Sequence, residues 1–245
     1  MRGVFAIATF GLLLLAPWSA EAQLDKNAQK EAKAMVEGRH YLRIDLPCWY
    51  VAGGFGIGVE PVVEVSPTAV DYERLGKAPA QATRATSKFW GLGPNDSVQY
   101  GTLQFKPDAI IAWLEGVAPK NQEVMVRFVQ IKTLDEFKTA FARVFSKVPL
   151  QDEHPEWSAE VRQAIAKRIV IKGMTVQQAA CVIGKPMAVS PTTENGVAGE
   201  VWVPRQENGT MLARMKIKST LTGFPTMLKF VGGILQEIMG GEPPK

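Results

Sequence analysis

Apolar and polar residues alternate in several runs of the first half of the chain, which is the spacing of half-buried β-strands. The alternation begins at His40, reaches Val65 through a glycine-rich stretch, and returns at Val98–Phe105. A further run, Val124–Val129, is apolar enough for a central strand. The pattern predicts an antiparallel-sheet domain over residues 23–150, in a protein of the α+β class.

A helix is predicted to pack on this sheet. Thr133 and Glu136 have the spacing of a capping box, in which each side chain accepts a hydrogen bond from the backbone N–H of the other residue. The apolar residues that follow at helical spacing are Leu134, Phe137, Phe141, Val144, Phe145 and Val148. Pro149 ends the pattern. A shorter and mostly polar surface helix is predicted over Asp25–Glu37.

A polar break at Gln151–Pro155 predicts the boundary between two units of the chain. In the second unit, Thr175 and Gln178 form another capping box at the start of a short helix. Gly184 suits the position directly after a helix, where the backbone often has a positive φ, and Pro186 prevents the helix from continuing. The sequence therefore places a well-delimited helix between two turns.

Another helix, capped by Ser158, precedes this one, and a β-meander follows it. The β-like runs are Met187–Ser190, Glu200–Val203 and Thr210–Lys218. Asn195-Gly196 and Asn208-Gly209 separate them, and both dipeptides are typical of hairpin turns. Two helices followed by three antiparallel strands are predicted for this unit.

The end of the chain, residues 220–245, is expected to form an amphipathic segment. Its apolar residues at helical spacing are Met227, Leu228, Val231, Ile234, Leu235 and Ile238. Gly232-Gly233 weakens the pattern, and Lys229 and Glu237 interrupt it, which rules out a membrane span. We predict an amphipathic helix that packs on its own unit or on a partner.

The first 22 residues have the pattern of a cleavable export signal. Arg2 precedes the uncharged apolar run Val4–Leu15, and Ala20-Glu21-Ala22 is a small-x-small cleavage site before Gln23. The run is about 12 residues long, whereas a transmembrane helix needs roughly 20. No cysteine lies near the cleavage site for a lipid anchor. The expected product is a soluble periplasmic or secreted protein.

Composition narrows the classes of partner. Hydrophobic residues make up 46% and charged residues 21% of the chain, as in ordinary globular proteins. The formal net charge is only +4, without the dense basic stripe expected of a nucleic-acid-binding protein. We expect no nucleic acid as a partner, while an anionic envelope surface stays compatible with this charge.

One basic segment is a candidate for partner binding. Residues 74–95 contain four basic side chains and no acidic one, and their charge equals the net charge of the chain. Arg84, Lys88, Phe89 and Trp90 combine cations with aromatic rings, which suits an anionic partner, lipid headgroups or peptidoglycan. The alternative is a solvated loop whose aromatic residues turn inward to cap the core.

The two cysteines, Cys48 and Cys181, leave two alternatives open. In an oxidising compartment they are compatible with a disulfide that closes a long loop. Both also stand among apolar neighbours, which equally suits two separately buried thiols.

The second unit resembles a known family. Gly173-Met174-Thr175 leads into a helix that ends at Gly184-Lys185-Pro186, with a further helix before it and predicted strands after it. This order is similar to the SmpA/OmlA domain of outer-membrane assembly lipoproteins, also called BamE-like, over residues 156–219. The resemblance implies an αα/βββ two-layer module that binds partner proteins or lipid at the cell envelope without catalysis. Trp202 falls where the family often places a tryptophan in its middle strand.

The sequence offers no recognisable catalytic or cofactor motif. The glycines at 53–58 do not fit G-x-G-x-x-G, and G-x-S-x-G is absent. His154 lacks the spacing of a metal set, so we expect no metal and no cofactor. We expect an exported, non-catalytic binding or scaffold protein of the bacterial envelope, with Trp202 in its binding face and an oligomeric state left open. The alternative is an envelope hydrolase whose acidic residues are dispersed along the chain.

Overall fold

The computed structural model describes most of the chain from Leu24 onward. The described ranges are 24–53, 56–72, 88–116, 123–204 and 225–240. The predicted export signal and the basic segment up to residue 87 lie outside them. Within these ranges the protein is a mixed α+β structure, as the sequence predicts.

Five helices and fourteen strands lie in the described ranges. The helices are α1 (Lys26–Val36), α2 (Leu134–Val144), α3 (Leu150–Glu153), α4 (Ala159–Lys167) and α5 (Val176–Ile183). The strands of the first half are β1 (Arg39–Leu42), β2 (Leu46–Gly53), β3 (Gly56–Pro61), β4 (Glu64–Val65), β5 (Val70–Asp71), β6 (Lys88–Leu92), β7 (Ser97–Phe105), β8 (Ala109–Gly116), β9 (Glu123–Val129) and β10 (Phe145–Ser146). Those of the second half are β11 (Ala188–Glu194), β12 (Val197–Val203), β13 (Met227–Val231) and β14 (Ile234–Met239).

The largest sheet has seven strands in the order β10-β1-β7-β8-β9-β4-β5. Its neighbours are antiparallel except β4 and β9, which run parallel. Consecutive residues are buried in β8, such as Ile110 and Ile111, and in β9, such as Val124 and Met125. Both faces of the sheet are therefore covered at its centre, and the central strand predicted at 124–129 is confirmed.

Helix α2 covers one face of this sheet. Thr133 caps it, and both hydrogen bonds of the predicted capping box with Glu136 are present. The ring of Phe137 packs edge-on against Phe128 of β9 at 5.2 Å between centroids. The predicted continuation of the helix beyond residue 144 is wrong. Phe145 is extended and pairs with Leu42, because it completes the edge of the large sheet as β10.

A small antiparallel sheet, in the order β3-β2-β6, packs beside β9. Cys48 of β2 is fully buried, and its sulfur accepts a hydrogen bond from the backbone N–H of Met125 at 3.2 Å. The two sheets and helices α1 and α2 share one hydrophobic core that extends from Leu24 to Phe145. This core forms the first unit of the protein.

A second, separate core begins at Leu150. It lies between helices α4 and α5 and one face of an antiparallel sheet in the order β11-β12-β13-β14. The largest fully buried side chains of this core are Ile165, Met174, Leu228, Phe230 and Leu235. The change from one core to the other falls between residues 145 and 150, just before the polar break seen in the sequence.

The helix predicted at the end of the chain is wrong. Residues 227–239 form the hairpin β13–β14 instead. Gly232 and Gly233 have φ of 58° and 78° and make the turn, a conformation that glycine adopts without steric cost. Leu228 and Phe230 then alternate into the core as strand residues. Several of the apolar positions fit both the helical and the strand period, and the glycine pair decides between them.

The hairpin turn predicted at Asn195-Gly196 joins β11 to β12 and is confirmed. The predicted strand at 210–218 and the turn at Asn208-Gly209 lie outside the described residues. Among the described helices, none is long and apolar enough to cross a membrane.

Candidate binding surface

The residues predicted to bind a partner do not form one described surface. Arg84 lies outside the described residues. Lys88, Phe89 and Trp90 belong to β6, where they pair with Tyr50, Trp49 and Cys48. The structure describes the backbone of these three residues and not their side chains.

Trp202 lies in strand β12, and its side chain belongs to the second core. Its side chain is only 6% exposed and packs against Phe230, with 4.9 Å between ring centroids. Both residues belong to the core under α4 and α5. The helical layer therefore covers the ring of Trp202, and a binding face on the sheet around this residue stays a prediction.

The strand beside Trp202 is not covered in this way. Val189 of β11 pairs with Trp202, and cross-strand partners project from the same face of a sheet. Val189 is nevertheless 51% exposed, whereas Leu228 and Phe230 on the same face are fully buried. Helices α4 and α5 thus cover β12, β13 and β14 and leave the face of β11 open.

We call the open region the β11 shelf and define it as the side chains of Met187, Val189, Pro191 and Glu200. Val189 and Pro191 lie two residues apart on one face of β11, and Glu200 pairs with Pro191. Met187 comes immediately before the strand and is 65% exposed. The shelf therefore joins an exposed apolar surface to one carboxylate.

The exposed apolar residues are concentrated here. Four large apolar side chains are classed as exposed in the described part of the chain. Two of them, Met187 and Val189, belong to the shelf, Val197 lies on the opposite face of the same hairpin, and the fourth is Val148. Scattered apolar residues are normal on protein surfaces, but a local group of them is typical of an interaction site.

The motif residues of the sequence position this hairpin. Gly173 has φ of 87°, and Met174 is fully buried beneath the sheet. Thr175 and Gln178 make both bonds of the predicted capping box of α5. Their role is structural: they fix α5 on the sheet, and α5 then leads directly to β11.

The end of α5 is held by the first unit. Gly184 has φ of 72°, and its N–H donates to the carbonyl of Ala180. The carboxylate of Asp45 accepts hydrogen bonds from the backbone N–H of Lys185 and from the hydroxyl of Tyr72, both at 3.1 Å. Pro186 follows and separates the helix from β11. The position of the shelf thus depends on the contact between the two units.

Two further polar links join the units. Asp96 is buried, and its carboxylate binds the guanidinium of Arg168 and the N–H of Gly93. Glu153 binds Arg43 at 2.5 Å and accepts a hydrogen bond from the hydroxyl of Ser146 at 2.6 Å. Each carboxylate of this junction therefore has a structural partner, although the second oxygen of Glu153, Oε2, is buried without a hydrogen bond.

The disulfide alternative for Cys48 and Cys181 is contradicted, because both thiols are free. Cys48 belongs to the first core, and Cys181 packs against the second. Burial raises the pKa of the Cys48 thiol to about 12. Burial and the negative charge of Glu153 raise the pKa of Cys181 to about 11. Neither thiol is activated as a nucleophile.

Acidic and histidine residues do not converge on a metal site within the described ranges. His154 stacks on Trp157 at 3.9 Å between ring centroids, and its Nδ1 lies 2.8 Å from a carboxylate oxygen of Glu156. His40 is buried against the rings of Phe141 and Phe145. Desolvation, and secondarily the charge of Lys147, lower the pKa of His40.

No protein-family model, no curated protein and no solved structure matches this chain. Sequence reasoning alone did not find the β11 shelf. Its residues have no distinctive spacing, and their exposure depends on which strands the helices cover. Pro191, directly after the predicted run Met187–Ser190, was the one available signal, because proline at a strand indicates an edge.

Proposed function

We propose that the chain is an exported, non-catalytic binding or scaffold protein of the bacterial cell envelope that contacts other proteins through the β11 shelf. The observation that supports this is the exposure of Met187 and Val189 beside a buried Trp202. Apolar side chains on an uncovered strip of a sheet lose contact with water when a partner covers them, and this is favourable.

The export part of the proposal rests on the pattern of the first 22 residues. Intact-mass measurement of the exported protein is expected to give a chain that begins at Gln23. A product that retains Met1 would contradict export through a cleaved signal.

The resemblance to the BamE-like domain contributes to the proposal. Helices α4 and α5 precede an antiparallel sheet, which is the order of layers that the resemblance implies. The described sheet differs in one respect, since β13 and β14 add strands beyond residue 219. We therefore propose a module of this general type that extends to Met239, with a partner protein as its ligand.

The junction supports binding over the hydrolase alternative. A hydrolase with dispersed acids needs two carboxylates that face a substrate cleft. Asp96, Glu153 and Asp45 instead hold the two units together through Arg168, Arg43 and Lys185. These contacts favour a structural role for the acids between the units.

The test is site-specific photocrosslinking in cells that export the protein. A benzophenone amino acid at position 189 is expected to give an adduct with a different protein, identified by mass spectrometry. The same probe at Ser190, which is exposed on the opposite face of the same strand, is the matched control. Equal adducts at both positions, or none at 189, would contradict the proposal.

A further inference from the structure

The β11 shelf contains a carboxylate that pairs with none of the described residues. Glu200 is half-buried, and it makes no ion pair or side-chain hydrogen bond to the described residues. A carboxylate that is partly removed from water beside apolar groups loses hydration without compensation. A cation from outside the chain would restore the lost interaction.

The neighbouring acid on the same hairpin differs in this respect. Glu194 lies 2.9 Å from the ammonium of Lys229. Its partner in the sheet is Val197, which is on the face opposite to Glu200. The hairpin therefore directs its uncompensated negative charge toward the shelf and neutralises the charge on the other face.

The edge of β11 is poorly suited to pairing with a partner strand. Asn195 and Gly196 form a two-residue turn with φ of 50° and 79°, so the flanking pair Glu194–Val197 is hydrogen-bonded. Hydrogen-bonded and non-hydrogen-bonded pairs alternate along the strands, which makes Pro191–Glu200 a non-hydrogen-bonded pair.

The nitrogen of Pro191 consequently faces the open edge, where it has no hydrogen to donate. A proline at this position is a common way to prevent the addition of another strand. The contact that remains is between side chains on the face of the shelf.

We propose that the β11 shelf binds a polypeptide segment of a partner protein in which an apolar residue stands next to a lysine or arginine. The apolar side chain packs on Met187 and Val189, and the cation pairs with Glu200. This inference rests on the proposed binding function and specifies the chemistry of its partner. The protein as a whole has a net charge of +4, so its long-range field disfavours such a segment and the preference must arise locally.

The experiment measures the binding of two fluorescent peptides to the exported protein by anisotropy. In the first, leucines alternate with lysines, and in the second, glutamines replace the lysines. We expect the lysine peptide to bind about three to ten times more tightly, as for one partly desolvated ion pair. The preference is expected to shrink as salt is added.

Three variants identify the source of this preference. Glu200→Gln is expected to abolish the preference for lysine and its salt dependence. Val189→Asn is expected to weaken the binding of both peptides, and Ser190→Asn, on the opposite face, to change neither. Circular dichroism checks that each variant is folded.

The outcomes separate the inference from the proposed function. A lysine preference that survives Glu200→Gln, or no preference in the unmodified protein, overturns the cationic partner even if position 189 crosslinks to another protein. A crosslink from 189 to a second copy of this chain, or to its own residues 205–224, also overturns the inference. If neither peptide binds and position 189 gives no adduct, both the inference and the proposed function fail.

Discussion

The thiol of Cys48 completes the edge of strand β9 at Met125. Its sulfur accepts the N–H of Met125 at 3.2 Å and lies 3.7 Å from the carbonyl oxygen of the same residue. The partner strand on this side of β9, β4, reaches only Arg127 and Phe128. A side chain from the second sheet thus takes the place of a strand partner at a buried position.

Removal of this sulfur is expected to destabilise the protein. Cys48→Ala leaves the N–H and carbonyl of Met125 buried without a partner and opens a small cavity, at a cost of about 2 kcal/mol. Urea denaturation followed by circular dichroism measures the difference. Cys181→Ala is the matched control and is expected to have a smaller effect, because Cys181 is only partly buried. Equal losses for the two variants would contradict the role given to Cys48.

Both thiols are expected to resist alkylation in the folded protein. Their pKa values of about 12 and about 11 leave very little thiolate at pH 8. Iodoacetamide should add no label to the native protein and two labels after unfolding without reductant. A single label, or none, after unfolding would indicate an oxidised cysteine and contradict two free thiols.

The raised pKa values also have a consequence for stability. The folded state holds the thiol protons more tightly than the unfolded chain, so the stabilisation they give is complete below pH 9. It is lost as the pH rises from 9 through the folded-state pKa values.

The link between Asp96 and Arg168 is expected to contribute to stability. Asp96→Asn removes a buried charge and leaves Arg168 without its partner. The expected loss of unfolding free energy is about 2 kcal/mol. This is less than the cost of breaking a fully buried ion pair, because the side chain of Arg168 is 28% exposed. Thermal or urea unfolding measures it. Asp135→Asn, at a carboxylate that is 93% exposed, serves as the control. If Asp96→Asn were as stable as this control, the contact between Asp96 and Arg168 would not contribute to the stability of the protein.

The elements that could be predicted from sequence are those whose cause is local. The capping boxes of α2 and α5 each involve two residues three positions apart, so their geometry is set by the nearby backbone. The hairpin turn at Asn195-Gly196 is local in the same sense. The helix predicted at the end of the chain is wrong because Gly232-Gly233, which only weakens a helical pattern, makes a hairpin turn there.

The binding surface could not be predicted because its cause is not local. Trp202 and Val189 share one face of one sheet, yet only Trp202 lies under the helices. The contact between Cys48 and Met125 likewise joins residues 77 positions apart. Such relationships depend on how layers overlap, which the spacing of apolar residues does not encode.

The buried His40 is expected to make the protein less stable in acid. Its pKa is lowered in the folded state by burial and by Lys147. The unfolded chain therefore binds a proton first as the pH falls through about 6.5. Stability should be unaffected by this group above that pH and should decrease below it, down to the folded-state pKa. Urea unfolding between pH 7.5 and 5 measures this dependence.

A pair of histidine variants isolates this effect. His40→Leu removes the titrating group and is expected to flatten the pH dependence of the unfolding free energy over this window. His154→Gln keeps His40 and is expected to retain the dependence of the unmodified protein. If His40→Leu had the same dependence as the unmodified protein, another group would have to cause it.

Gly199 is expected to be irreplaceable in the sheet below the shelf. A methyl group added at this position would lie 2.1 Å from the carbonyl oxygen of Phe230, a backbone atom that moves only if β12 and β13 separate. Gly199→Ala should therefore destabilise the protein by about 3 kcal/mol, at the upper end for added volume in a packed region.

Gly196→Ala is the informative comparison. Its added methyl meets no atom within 4 Å, so it introduces only the strain of φ at 79°, about 1 kcal/mol. Because β12 holds Trp202 and Glu200, separation of the strands in Gly199→Ala should also weaken binding at the shelf. Gly196→Ala should keep that binding while losing some stability. Urea unfolding and peptide anisotropy on the two variants measure both effects, and similar stability losses would show that the close contact at Gly199 relaxes without separating the strands.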